Sequence, residues 1–129
     1  IHSMRDLQRE VLTVIFLDSS HAVIDTVVMA EGTVNVNTVY PREIVKKGLE
    51  LNAAALIIAH NHPSGHLKPS SQDMQLTKSL ALLCSMMQIN LLDHIIIGDG
   101  ALSFADEGHM ATVHREIGTI LSTSLAGAK

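Results

Sequence analysis

Two histidines flank a single asparagine in His60-Asn61-His62, and Asp73 follows eleven residues after the second of them. In extended backbone, residues i and i+2 project to the same side, so both imidazoles can face one ion as a strand ends. Pro63 and Gly65 turn the chain, and Asp73 falls in the first turn of an expected helix, near enough to fold back as a third ligand. Two neutral imidazoles and one carboxylate leave one net positive charge on a Zn²⁺ site. They also leave one coordination position open for water, as in a mononuclear zinc hydrolase. The same residues have a plainer explanation. Ser70 followed by Asp73 just before an apolar helix is also a capping box, in which both side chains only satisfy backbone N–H groups.

A hydrolytic site of this type needs a proton acceptor beyond the ligands. Glu10 precedes the apolar run Val11–Leu17, Glu31 ends the next such run, and Glu43 lies in the first turn of an expected helix. Each has an ordinary role: solvated strand ends for the first two, and a favourable helix dipole for the third. The residues alone leave all three open.

The elements around these residues read as an α/β or α+β arrangement on a mixed sheet. Val11–Leu17 and Ala22–Met29 are β-branched, apolar runs joined by the turn cluster Asp18-Ser19-Ser20, and they predict a hairpin. Alternation from Val34 to Val39 predicts a third, half-buried strand at a sheet edge. Pro41 suits a helix start and predicts a helix to Leu51. Ala54–His60 is a short apolar run bounded by turn residues, as expected of a central strand buried on both faces. Leu76, Leu80, Leu83 and Met87 recur at helical spacing and predict a helix from Ser71 to Met87 with Ser70 as N-cap. Leu91–Ile97 and Ala101–Phe104 predict a second hairpin about Gly98-Asp99-Gly100, and a last helix is expected over Thr112–Leu121.

With these residues in view, the chain resembles the JAMM or MPN+ metalloproteases, whose motif is a distant Glu, then His-x-His, seven residues, and Ser-x-x-Asp. From His62 the seven residues Pro63 to Pro69 precede Ser70, and Asp73 completes the pattern. HNHPSG, the preceding LNAAALIIAH, PREIV and the downstream LLDHIIIGDG look like the bacterial RadC type within that superfamily, over nearly the whole chain. The resemblance implies a JAB/MPN (cytidine-deaminase-like) fold, a mixed curved sheet flanked by helices. It implies zinc held by His60, His62 and Asp73, with Ser70 donating to the oxyanion. It also places the general base at a strand start, which selects Glu10. Asn61 stands where the eukaryotic deubiquitinating members carry Ser or Thr; it is usual in the RadC type and is expected to point away from the metal. The long insertions that grip ubiquitin are missing, so that substrate does not transfer.

Composition bounds the rest. The 129 residues are 47% apolar, enough for one core and one domain spanning 1–129. The formal net charge is −4, and Lys46-Lys47 is the sole basic pair, so phosphate-driven nucleic-acid binding by this chain is disfavoured. A single cysteine, Cys84, excludes an internal disulfide and a Cys-x-x-Cys zinc site, and fits a reducing cytoplasm. No apolar run is long enough to span a bilayer, and a signal-peptide layout is missing. The expected partner is a peptide or protein substrate, with a homodimer through the 34–39 edge as a further expectation. Two other functions stay in view. One is a metal-stabilised interaction module associated with DNA repair, with DNA contact residing in a helix-hairpin-helix-like N-terminal segment that full-length RadC-type proteins carry and this sequence lacks. The other is a metal-dependent nuclease, which no second carboxylate cluster or phosphate clamp supports. Asp93-His94 is expected to be structural, His66 to line the substrate path or be solvated, and Cys84 to pack as a small hydrophobe.

Overall fold

A computed structural model describes residues 9–32 and 41–127. The first strand, β1 (Val11–Leu17), turns at Asp18 into β2 (Val23–Glu31). The Asp18 carboxylate accepts from the Ser20 and Ala22 N–H groups and His21 takes a positive φ, which closes the hairpin. Helix α1 (Pro41–Glu50) leads to β3 (Ala55–Asn61), α2 (Ser71–Met86) to β4 (Asn90–Gly98), and a tight turn to β5 (Gly100–Ser103) and α3 (His109–Gly127). The sheet order is β2-β1-β3-β4-β5; only β3 and β4 are parallel, as their connection through α2 requires. The mixed α/β class and the central place of the Ala54–His60 run are as the sequence predicts. The final helix is longer than its apolar spacing suggests, and the predicted 34–39 strand lies outside the described residues.

Alternation along the strands sends one face of the sheet into the core. Leu12, Val14 and Phe16 of β1 pair with His60, Ile58 and Leu56 of β3, and all six are almost fully buried. Ile44 and Val45 of α1, Leu76, Leu80 and Cys84 of α2, and Val113 and Ile117 of α3 pack into the same cluster. The opposite face is wetter, with Thr13, Ile15 and Ile57 only half-buried. Cys84 behaves as a packing residue, and its burial pushes the thiol pKa up to about 12. No helix among the described residues is long and apolar enough to cross a membrane.

This topology dictates where the polar residues meet. Because β1 and β3 are antiparallel, the start of β1 lies beside the end of β3, with Leu12 opposite His60. The loop leaving β3 then carries the chain to the N-terminus of α2. Glu10, the two histidines and Asp73 are therefore delivered to one end of the sheet by three different elements.

Candidate metal centre

His60 is the last core-facing residue of β3 and is 1% exposed. Its two ring nitrogens point at two carboxylates: Nδ1 lies 3.5 Å from Asp73 Oδ1, and Nε2 lies 3.7 Å from Glu10 Oε2. Neither nitrogen has a hydrogen-bond partner. A buried polar atom without a partner costs about 1–3 kcal/mol, and this ring carries two of them. Burial pushes the His60 pKa below its ordinary value. Asp73 and Glu10 oppose that shift and His62 adds to it.

His62 leaves the strand on a loop held to β4 by its own N–H, which donates to Ile97 O at 2.8 Å. Its ring packs edge-on against His60 with centroids 4.7 Å apart. Nδ1 stands 2.9 Å from the His66 carbonyl oxygen, which can only accept, so Nδ1 carries the proton and Nε2 is directed elsewhere. That Nε2 faces Asp73 Oδ2 at 3.2 Å. A bare nitrogen lone pair and a carboxylate oxygen repel at this distance, so a proton or a metal cation must sit between them. His66 thus contributes its backbone carbonyl to the site, while its residue is exposed.

The loop is kept in place by close backbone packing. Gly65 has φ +87°, and a Cβ on it would come within 2.6 Å of the Asp99 carboxylate. Across from it, a Cβ on Gly98 would meet the Gly65 carbonyl at 2.5 Å. Both positions therefore require glycine, and the Asp99 N–H donates to Gly65 O at 2.9 Å.

Asp73 is the third helical position of α2, and its capping bonds leave it able to serve as a ligand as well. The Ser70 hydroxyl oxygen accepts from the Asp73 N–H at 3.0 Å, and Asp73 Oδ2 accepts from the Ser70 N–H at 2.8 Å. The capping box holds the carboxylate in one orientation and leaves Oδ1 facing His60. His60, His62 and Asp73 each offer an atom within 4.8 Å of the others. His60 Nδ1 lies 3.5 Å from Asp73 Oδ1 and His62 Nε2 lies 3.2 Å from Asp73 Oδ2, so each histidine faces a different oxygen of the same carboxylate. The unpartnered nitrogens, the oriented carboxylate and the nitrogen–oxygen donor set fit a divalent metal.

Of the three glutamates, Glu10 alone joins this group; its side chain is 30% exposed and lines the cleft. Glu31 forms an exposed ion pair with Arg9, and Glu43 lies on α1 beside Met29 and Lys47. The cleft is about 370 Å³ in volume and is lined by Glu10, His62, Pro63, Ser64, Ser70, Gln72 and Asp73. Gln72 carries no signal in spacing or motif that would single it out, and Ser64 stands in HNHPSG without a role that its spacing would assign. Beneath the site, the Thr77 hydroxyl donates to Asp73 O at 2.8 Å and contacts His94 Nδ1 at 2.7 Å. Its single proton goes to the carbonyl, so His94 Nδ1 must donate to Thr77. A threonine four residues after a ligand and facing the core is the one sequence clue to this layer.

The RadC-like JAB domain family matches residues 1–109. The chain belongs to that family. It is similar to UPF0758 proteins of Photobacterium profundum at 52% identity, Vibrio parahaemolyticus at 49% and Aliivibrio fischeri at 47%, each over 106 residues covering 81% of this chain. The domain spans about half the length of these relatives, 47% in each case. The five-stranded mixed sheet with three helices is consistent with a JAB-like fold, and the His-His-Asp group is compatible with a JAMM-type metal site.

Proposed function

We propose that the domain is a zinc-dependent hydrolase of carbonyl substrates, a peptidase or isopeptidase. The observation that carries this reading is that Glu10, His62 and Asp73 line one cleft with His60 buried against them. A bound Zn²⁺ would supply Lewis acidity and a lowered pKa for a coordinated water, and the two-nitrogen, one-oxygen donor set suits that ion.

The chain's own residues supply the rest. Glu10 takes the proton from the attacking water and returns it to the departing amine nitrogen. The Ser70 oxygen already accepts from the Asp73 N–H, so its own proton is available to the oxyanion that develops on the substrate. The N-terminus of α2 adds its positive dipole end to the same region. Gln72 and Ser64 present neutral hydrogen-bonding groups of the kind that hold a peptide backbone. The cleft is lined by no lysine or arginine among the described residues, which favours a neutral carbonyl over a phosphodiester and weighs against the nuclease reading.

The test is a screen of fluorogenic peptide and lysine-isopeptide probes against the zinc-loaded chain, with chelator controls and plasmid DNA in parallel. Glu10→Gln is expected to bind zinc as the parent does and to lose about 10²–10⁴-fold in turnover. Unchanged turnover in that variant removes Glu10 from the mechanism. Chelator-sensitive cleavage of plasmid but of no peptide bond overturns the peptidase assignment.

A further inference from the structure

We propose that Asn61 is a positioning residue that sets where the Glu10 carboxylate stands in the cleft. The inference rests on the hydrolase reading for its catalytic meaning but on separate contacts for its geometry. Asn61 is 1% exposed, and it is turned away from the cleft that its neighbour His62 lines. Its Oδ1 accepts from the Val11 N–H at 2.6 Å, and its Nδ2 donates to the Arg9 carbonyl at 2.9 Å. One carboxamide therefore grips the backbone on both sides of Glu10.

The register explains why a side chain is needed there. The β1–β3 ladder ends at Leu12 opposite His60; one residue further, Asn61 is in register with Ile97 of β4, whose carbonyl accepts from the His62 N–H. The Asn61 amide takes over where the ladder stops, offering one acceptor and one donor at the spacing of a strand. On the β2 side, Gly32 N–H donates to Glu10 O at 2.9 Å. The Arg9–Glu31 ion pair is exposed and adds little. Asn61 is thus the buried half of the clamp: an ionised acid there would offer no donor, and a hydroxyl would carry donor and acceptor on one oxygen rather than on the two separate atoms that reach Val11 and Arg9. A base that must reach a reacting water within hydrogen-bond distance depends on such backbone fixation.

The experiment is solution NMR on the whole 129-residue chain, metal-free, comparing the parent with Asn61→Ala and Asn61→Asp. The parent should show contact between the Glu10 Hγ protons and the His60 ring. In Asn61→Ala that contact should vanish and exchange of the Val11 amide should accelerate about tenfold or more, while the His62 amide, bonded to Ile97, stays protected. Asn61→Asp keeps the size and the acceptor for Val11, guards against a loss of folding in the alanine variant, and should weaken the contact. A folded variant that keeps the Glu10–His60 contact at parental strength overturns the proposal, whatever its stability. Zinc calorimetry on the parent judges the hydrolase reading separately: no binding overturns that reading, and the contact still decides whether Asn61 positions Glu10.

Discussion

Two clusters built from the same residue types lie on neighbouring strands, and they differ in how far their polar groups are satisfied and in what the unsatisfied ones face. On β4, Asp93 accepts from the His94 N–H, the Ser103 hydroxyl and the Ala105 N–H, so its carboxylate is saturated and ties β4 to the end of β5 and the approach to α3. His94 is fully buried, donates through Nδ1 to Thr77, and stacks on Phe104 with ring centroids 4.4 Å apart. Burial first, and His60 second, push its pKa down to about 3, so it is neutral. On β3 and the start of α2, by contrast, both nitrogens of His60 are unpartnered and His62 faces a carboxylate across a gap that takes a proton or a metal cation. Residue type does not separate a structural Asp-His-Ser cluster from a ligand cluster. His94 Nε2 is also unpartnered, so an unfilled lone pair alone does not either; what separates the clusters is that both His60 nitrogens are unpartnered and face carboxylates, whereas Asp93 is saturated and His94 keeps its bond to Thr77.

Removing a ligand should break the comparison most strongly. His62→Ala or Asp73→Asn is expected to weaken zinc binding by more than about 100-fold, the upper end of what an outer-shell partner costs, as read by competition calorimetry. Asp93→Ala should leave zinc affinity within about tenfold. Equal losses at Asp73 and Asp93 would mean that the contrast between the clusters carries no information about metal.

The contrast also explains what could be read from the sequence. The grouping of the three candidate ligands was legible because an i, i+2 pair on a strand and a carboxylate at a helix start are local patterns, and β1, β3 and α2 have strong periodicity. Glu10 was not legible from physics alone: its proximity to His60 depends on β1 and β3 being antiparallel neighbours, which no local pattern states. The resemblance supplied it, and the sheet register gives the reason. Asn61 was expected only to point away from the metal; its grip on residues 9 and 11 spans about fifty positions and is invisible to spacing. The role of the Thr77 hydroxyl, which joins the Asp73 backbone to His94, likewise appears only once α2 is laid against β4.

A second measurement sharpens the structural half of the comparison. Asp93→Ala deletes a charged acceptor serving three donors, two of them backbone N–H groups, in the middle of β4 and in the β5–α3 turn. Hydrogen bonds to charged groups contribute about 1.5–3 kcal/mol each, discounted here because Asp93 is half-buried and water can replace part of the loss. Urea unfolding of the metal-free chain is expected to show a loss of about 3 kcal/mol. A loss under about 1 kcal/mol would mean that this cluster is ornamental to stability and that saturation does not mark a structural role.

The smallest stability effect is expected at Ser70, where the two readings of one residue can be pulled apart. Its oxygen caps α2 through the Asp73 N–H, and its proton is the group proposed to meet the oxyanion. Replacing an N-cap serine by alanine costs about 1 kcal/mol, whereas glycine costs only a few tenths, because glycine tolerates the cap backbone and lets water reach the N–H groups. Neither residue has a proton to donate. Ser70→Ala and Ser70→Gly should therefore differ in urea unfolding yet lose turnover by a similar factor, about 10²-fold for one oxyanion donor. Zinc affinity should be little changed in both, since Asp73 Oδ2 still accepts from the backbone N–H of residue 70. Turnover that instead follows stability, with alanine impaired and glycine nearly normal, would assign Ser70 to the helix alone.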